Sequence, residues 1–74
     1  MPIDSVQPAS PMDSYFTKKM KGVLLHQGQI EPLQVNKTTG RVYPHDTHGS
    51  TIWHAAKDLG WDTILVLFND RYEE

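Results

Sequence analysis

The chain has 74 residues and no cysteine, so it makes at most one domain, and disulfides, thiolate zinc sites and cysteine nucleophiles are excluded. Its formal net charge is −2, from seven Lys and Arg against nine Asp and Glu, which argues against a dedicated nucleic-acid binder. No run reaches the roughly 18 apolar residues of a membrane span, and the N-terminus lacks the basic and apolar regions of a secretory signal. A cytoplasmic protein with no membrane partner is expected.

A chain this short buries only about 60% of its unfolded surface. Small scaffolds commonly draw on a disulfide, a structural metal or a partner subunit. Without cysteine, histidine-bound metal and self-association are the supports that remain. Charge is also uneven: Lys18, Lys19, Lys21, Lys37 and Arg41 make the first half mildly basic, and Asp46, Asp58, Asp62, Asp70, Glu73 and Glu74 make the second acidic.

Residues 1–14 hold Pro2, Pro8 and Pro11 among serines, with few large apolar groups. That composition predicts a disordered tail, followed by one α+β domain over residues 15–70 and a frayed acidic end over 71–74. The run K-G-V-L-L-H, with Val23, Leu24 and Leu25 together, reads as a first strand ended by Gln27-Gly28. In I-E-P-L-Q-V, Leu33 and Val35 alternate with Gln34, the period of a half-buried strand, while Pro32 belongs at an edge, a start or a bulge. N-K-T-T-G supplies turn chemistry through Asn36 and Gly40, and R-V-Y reads as a third strand.

Pro44 to Gly49 reads as a loop. Ser50 or Thr51 then offers an N-cap for a helix through Leu59, with Gly60 at the C′ position. Ile52, Ala55, Ala56 and Leu59 form one apolar stripe at i, i+3, i+4, i+7. The last apolar run, Thr63 to Phe68, has the length and β-branched content of a buried strand. The predicted order is β-β-β-α-β: a small two-layer α+β domain with one helix packed on a three- to four-stranded, mostly antiparallel sheet. A right-handed crossover pairs the last strand with the first in order 3-2-1-4 and leaves Thr63–Phe68 at an edge. An apolar edge strand invites pairing. Either Tyr15-Phe16-Thr17 covers it as a further strand, or a second copy does, in a homodimer through residues 63–68.

Three groups of side chains stand out as candidate sites. His45, His48 and His54, with Asp46 between, are weak candidates for a metal, but Asp46, Thr47, Ser50 and Thr51 are ordinary turn and cap formers. A nucleophilic Ser50 or Thr51 assisted by His45 or His48 would need a base held in reach by a third group. Helix capping accounts for those hydroxyls without chemistry, so no catalytic residue is assigned. Tyr15 and Phe16 beside Lys18, Lys19 and Lys21, with Lys37 and Arg41, could stack on bases and meet phosphates. Tyr43, Trp53 and His54 suggest an aromatic protein-binding surface, since Trp and Tyr are frequent interface anchors. Trp61, just after Gly60, reads as structural. No glycine-rich phosphate loop is present, and no cofactor is expected. The function read from these features is a small non-enzymatic protein-interaction or regulatory module, self-associating and acting through an aromatic surface on another protein. The alternative is a nucleic-acid-associated protein using the basic first half, with a histidine-bound metal third.

Overall fold

A computed structural model describes residues 1–29 and 31–68. After a 3-10 turn at Ile3–Ser5 come helix α1 (Ser14–Gln27), strand β1 (Leu33–Val35), helix α2 (Thr47–Asp58) and strand β2 (Val66–Phe68). β1 and β2 form a two-stranded parallel sheet in the register Leu33–Val66, Gln34–Leu67 and Val35–Phe68, with α2 as the crossover. The expected three- to four-stranded, mostly antiparallel sheet is therefore corrected, among the described residues, to two helices and one parallel pair. The expected frayed end at 71–74 lies outside the described residues, as does Ile30 of the second expected strand.

The largest correction is α1, which takes the place of the first expected strand. Asp13 nucleates it: its carboxylate accepts hydrogen bonds from the N–H groups of Tyr15 (3.0 Å) and Phe16 (3.1 Å), two of the donors that a helix start leaves orphaned. Phe16, Met20, Val23 and Leu24 then recur at i, i+4, i+7 and i+8, and this side turns toward α2 and the core. The V-L-L run is split accordingly. Leu24 is buried, Val23 is half-buried and Leu25 is 70% exposed. The helix ends at Gly28, which has a φ of 73° and whose N–H bonds Leu24 O at 2.9 Å.

The third expected strand shrinks to two isolated bridges, an antiparallel one between Val35 and Val42 and a parallel one between Gln7 and Arg41. The turn that was expected at 36–40 does form there: Asn36 Oδ1 accepts from Thr38 and Thr39 N–H, and Asn36 N–H bonds Arg41 O at 2.9 Å. Pairing then stops for two reasons. Pro44 has no N–H to give, and Tyr43 O is taken by Asp46 N–H at 2.9 Å, which turns the chain into α2.

α2 starts earlier than expected, capped by Asp46 rather than Ser50 or Thr51; Asp46 Oδ1 accepts from Gly49 N–H at 2.9 Å. Its end falls where the sequence placed it. Trp61 N–H bonds Ala56 O (3.0 Å) and Gly60 N–H bonds Lys57 O (3.1 Å), the paired bonds of a Schellman motif. The motif needs a left-handed residue, and Gly60 has φ 82°. The apolar stripe also holds: Ile52, Ala55 and Ala56 are buried and Leu59 is partly so. Against them pack Leu24, Leu33, Val35, Val42 and Ile64, with Met20, Trp53, Trp61 and Val66 around the margin.

Residues 1–14 carry a second correction. They were expected as a disordered tail, yet Ile3 and Val6 are 2% and 1% exposed and belong to the core cluster. Ile3 N–H bonds Asp62 O and Ile64 N–H bonds Met1 O, both at 2.9 Å, with Pro2 bridging Thr63 in antiparallel fashion. Farther on, Gln7 N–H bonds Gly40 O (3.0 Å) and Val42 N–H bonds Gln7 O (2.9 Å). Among the described residues, no helix is long and apolar enough to cross a membrane.

Candidate functional site

α2 carries a second stripe beside its apolar one. Ser50, Trp53, His54 and Lys57 repeat the i, i+3, i+4, i+7 spacing, and all four bind the N-terminal strap, residues 1–10. Ser50 Oγ, fully buried, accepts from Ala9 N–H at 2.9 Å. Trp53 Nε1–H donates to Ile3 O at 3.0 Å. His54 Nε2 lies 2.8 Å from Ser10 O, and because a carbonyl only accepts, that nitrogen carries the proton. Lys57 Nζ pairs with the Asp4 carboxylate. Three of these four contacts are to main-chain groups of the strap.

The aromatic surface expected at Tyr43, Trp53 and His54 is thus largely occupied from within the chain. Tyr43 is 1% exposed and its ring stacks on His45 at 5.5 Å. Trp53 and His54 are half-buried, packed edge to face at 5.1 Å. The three histidines considered for a metal face different partners: His45 meets Tyr43, His54 meets Ser10, and His48 lines a groove between α1 and α2. Among the described residues, no group of three or more His, Asp or Glu is placed to hold a metal ion. Ser50 is a strap acceptor, and Thr51 Oγ1 donates to Thr47 O at 3.2 Å.

The basic set is divided between elements. Tyr15, Phe16, Lys18 and Lys19 are exposed on the first turns of α1, with Lys19 Nζ 4.7 Å from the centre of the Tyr15 ring. Lys21 is turned to α2, where it pairs with Asp58 at 2.5 Å. Lys37 and Arg41 lie exposed on the turn after β1. The groove between the helices has a volume of about 460 Å³ and is walled by Phe16, Met20 and Val23 on one side and by Thr47, His48 and Thr51 on the other.

The remaining feature is the outer edge of β2. Leu33 N–H donates to Leu65 O at 3.0 Å, and the Gln29 side-chain amide holds both the N–H and the C=O of Leu65. The backbone of Leu65, and by alternation that of Leu67, therefore faces β1, and the backbones of Ile64, Val66 and Phe68 face the opposite edge. Met1 takes up both groups of Ile64. Among the described residues no hydrogen bond reaches the outward groups of Val66 and Phe68. Leu65, Leu67 and Phe68 are 59%, 48% and 42% exposed.

No protein-family model matches the chain, and neither a curated protein nor a solved structure matches it. Thr63–Phe68, expected as a six-residue buried strand at the edge of a larger sheet, pairs with β1 only over Val66–Phe68, and Leu65, Leu67 and Phe68 are exposed. The strap residues Ile3, Asp4 and Val6 went unread, their one signal being a pair of aliphatic residues three apart in an otherwise polar segment.

Proposed function

We propose that the chain is a small protein-interaction module that docks by adding a strand to the outer edge of β2, and that a second copy supplies that strand. The carrying observation is the pair of outward-facing, unbonded backbones at Val66 and Phe68, flanked by exposed leucines. An edge of this kind is a template for another strand. The neighbouring stretch of the same edge already accepts one, since Met1 to Ile3 run antiparallel along Asp62 to Ile64.

A two-fold axis at Leu67 suits this geometry. It sets Val66 opposite Phe68 of the other copy in both directions, so each outward N–H and C=O gains a partner. Leu67 faces its own mate. An isologous contact requires this self-matching. Sedimentation velocity of the wild-type chain and of Leu67→Lys tests the reading. A Lys directly opposite its symmetry mate repels it, yet residue 67 is exposed, so the fold is kept. The expected result is a concentration-dependent dimer that Leu67→Lys dissociates with an unchanged circular dichroism spectrum. A wild-type chain that stays monomeric at high concentration, or a dimer untouched by the lysine, overturns the proposal.

A further inference from the structure

The α2 stripe and the strap it holds carry an inference independent of the β2 edge. We propose that residues 1–10 form an exchangeable segment: the cleft they occupy accepts the same segment from a second copy of the chain.

Three observations converge on this. First, the cleft reads mostly main chain. Trp53 and His54 donate to the carbonyls of Ile3 and Ser10, Ser50 accepts from Ala9 N–H, and Gly40, Val42, Asp62 and Ile64 bond backbone groups of Gln7, Ile3 and Met1. Bonds of this kind are made equally well by either copy's strap. Second, the side-chain hold is slight: in the strap only Ile3 and Val6 are fully buried, and the Asp4–Lys57 pair is exposed. Segments held by few buried apolar contacts open locally, ahead of the rest of a fold.

Third, the connection to α1 tolerates release. Pro11, Met12 and Asp13 are exposed, and the Asp13 carboxylate bonds forward into α1, so opening the strap leaves the helix cap intact. Pro8 and Pro11 fix their own φ and bias Gln7 and Ser10 toward extended conformations. Such a segment is stiffened for reaching outward from the body that carries it. In an exchanged pair each cleft is refilled by an identical strap, so every contact described above is kept and only the connector changes course, the condition under which swapping is a low-cost route to a dimer.

The absence of cysteine gives a direct test. Asp4 and Lys57 touch and are both exposed. Chains bearing Asp4→Cys or Lys57→Cys are mixed in equal amounts, concentrated, treated with a short bis-maleimide that spans the reach lost with the lysine side chain, and mapped for cross-links, in a Leu67→Lys background that removes the β2 contact. The expected product is a cross-linked dimer joining residue 4 of one chain to residue 57 of the other, in excess over a statistical mixture and increasing with protein concentration. The double variant Asp4→Cys/Lys57→Cys, treated with the same bis-maleimide when dilute, closes within one chain and shows that the strap docks. If the double variant closes while the mixed singles yield only a statistical mixture at every concentration, the segment is not exchanged and the proposal fails.

Discussion

Asp46 serves donors from two elements at once. Its Oδ1 caps α2 at Gly49 N–H and its Oδ2 accepts from Gln34 N–H in β1, each at 2.9 Å. The half-buried carboxylate is thus a joint between helix and sheet, and it explains the glycine beside it. A Cβ on Gly49 would sit 2.3 Å from Asp46 Oδ2 and 2.7 Å from its Cγ, so any side chain there displaces the cap. Asp46→Ala is expected to cost about 2–3 kcal/mol, adding a lost cap of about 1 kcal/mol to the loss of a part-buried charged hydrogen bond. Gly49→Ala alone is expected to cost about 1–2 kcal/mol, because the carboxylate must move away from both donors. The informative measurement is the double mutant. Once Asp46 is alanine the obstacle is gone, and Ala is the better helix former by up to about 1 kcal/mol. Gly49→Ala should then change sign and stabilise, read as a rise in the urea midpoint; equal costs in both backgrounds would show that no steric coupling exists.

At the scale of elements, α1 is the thinly attached helix. Of its 14 residues only Thr17 and Leu24 are fully buried, and Tyr15, Phe16 and Leu25 are largely exposed. The Lys21–Asp58 bridge to α2 is partly solvated, a class worth at most about 1 kcal/mol. Intrinsic helix propensity therefore counts for more here than in a well-buried helix. Gly22 lies mid-helix without a positive φ, and a Cβ built on it meets nothing within 4 Å. Gly22→Ala should stabilise by about 0.5–1 kcal/mol, seen as a higher thermal midpoint with unchanged spectra; a lower midpoint would mean that the helix is held some other way. The same weak attachment explains why α1 was hard to read. Three adjacent apolar residues, Val23 to Leu25, imitate a strand, and Gly22 interrupts the helical pattern. The signal that identifies the helix is Asp13 as a cap followed by Phe16, Met20, Val23 and Leu24. α2 was legible because its stripe is clean and Gly60 marks its end. The turn at 36–40 was legible because Asn36 bonds its own backbone. The run Thr63–Phe68 was legible as an apolar stretch, but only Val66–Phe68 pairs with β1, because Met1 and Gln29 take the backbone groups of Ile64 and Leu65. Trp53 and His54 looked available because composition averages could not show that a polar, proline-rich segment covers them.

At the scale of the whole molecule, the strap is what closes the body. The radius of gyration is 11.3 Å, close to the roughly 11 Å of a compact chain of this length. Closure is achieved by ten residues that cross α2, the turn after β1 and the approach to β2, held by two buried side chains. A ceiling on mutational cost follows. A substitution in a segment that can open locally destabilises the molecule by no more than the free energy of docking that segment, because beyond that point the segment releases and the rest stays folded. Ile3→Ala and Val6→Ala, each removing core volume, should cost about 2 and 1 kcal/mol when made singly. Combined, they should cost about 1 kcal/mol less than their sum, since the first already approaches the ceiling. Hydrogen exchange separates this outcome from direct coupling of the two side chains. In the double variant the amides of Gln7 and Ala9, which bond Gly40 O and Ser50 Oγ, should lose their protection. Those of Leu33 and Tyr43, which bond Leu65 O and Gln34 O, should keep theirs. Simultaneous loss at all four sites would make the strap an inseparable part of the core and would leave segment exchange without a physical route.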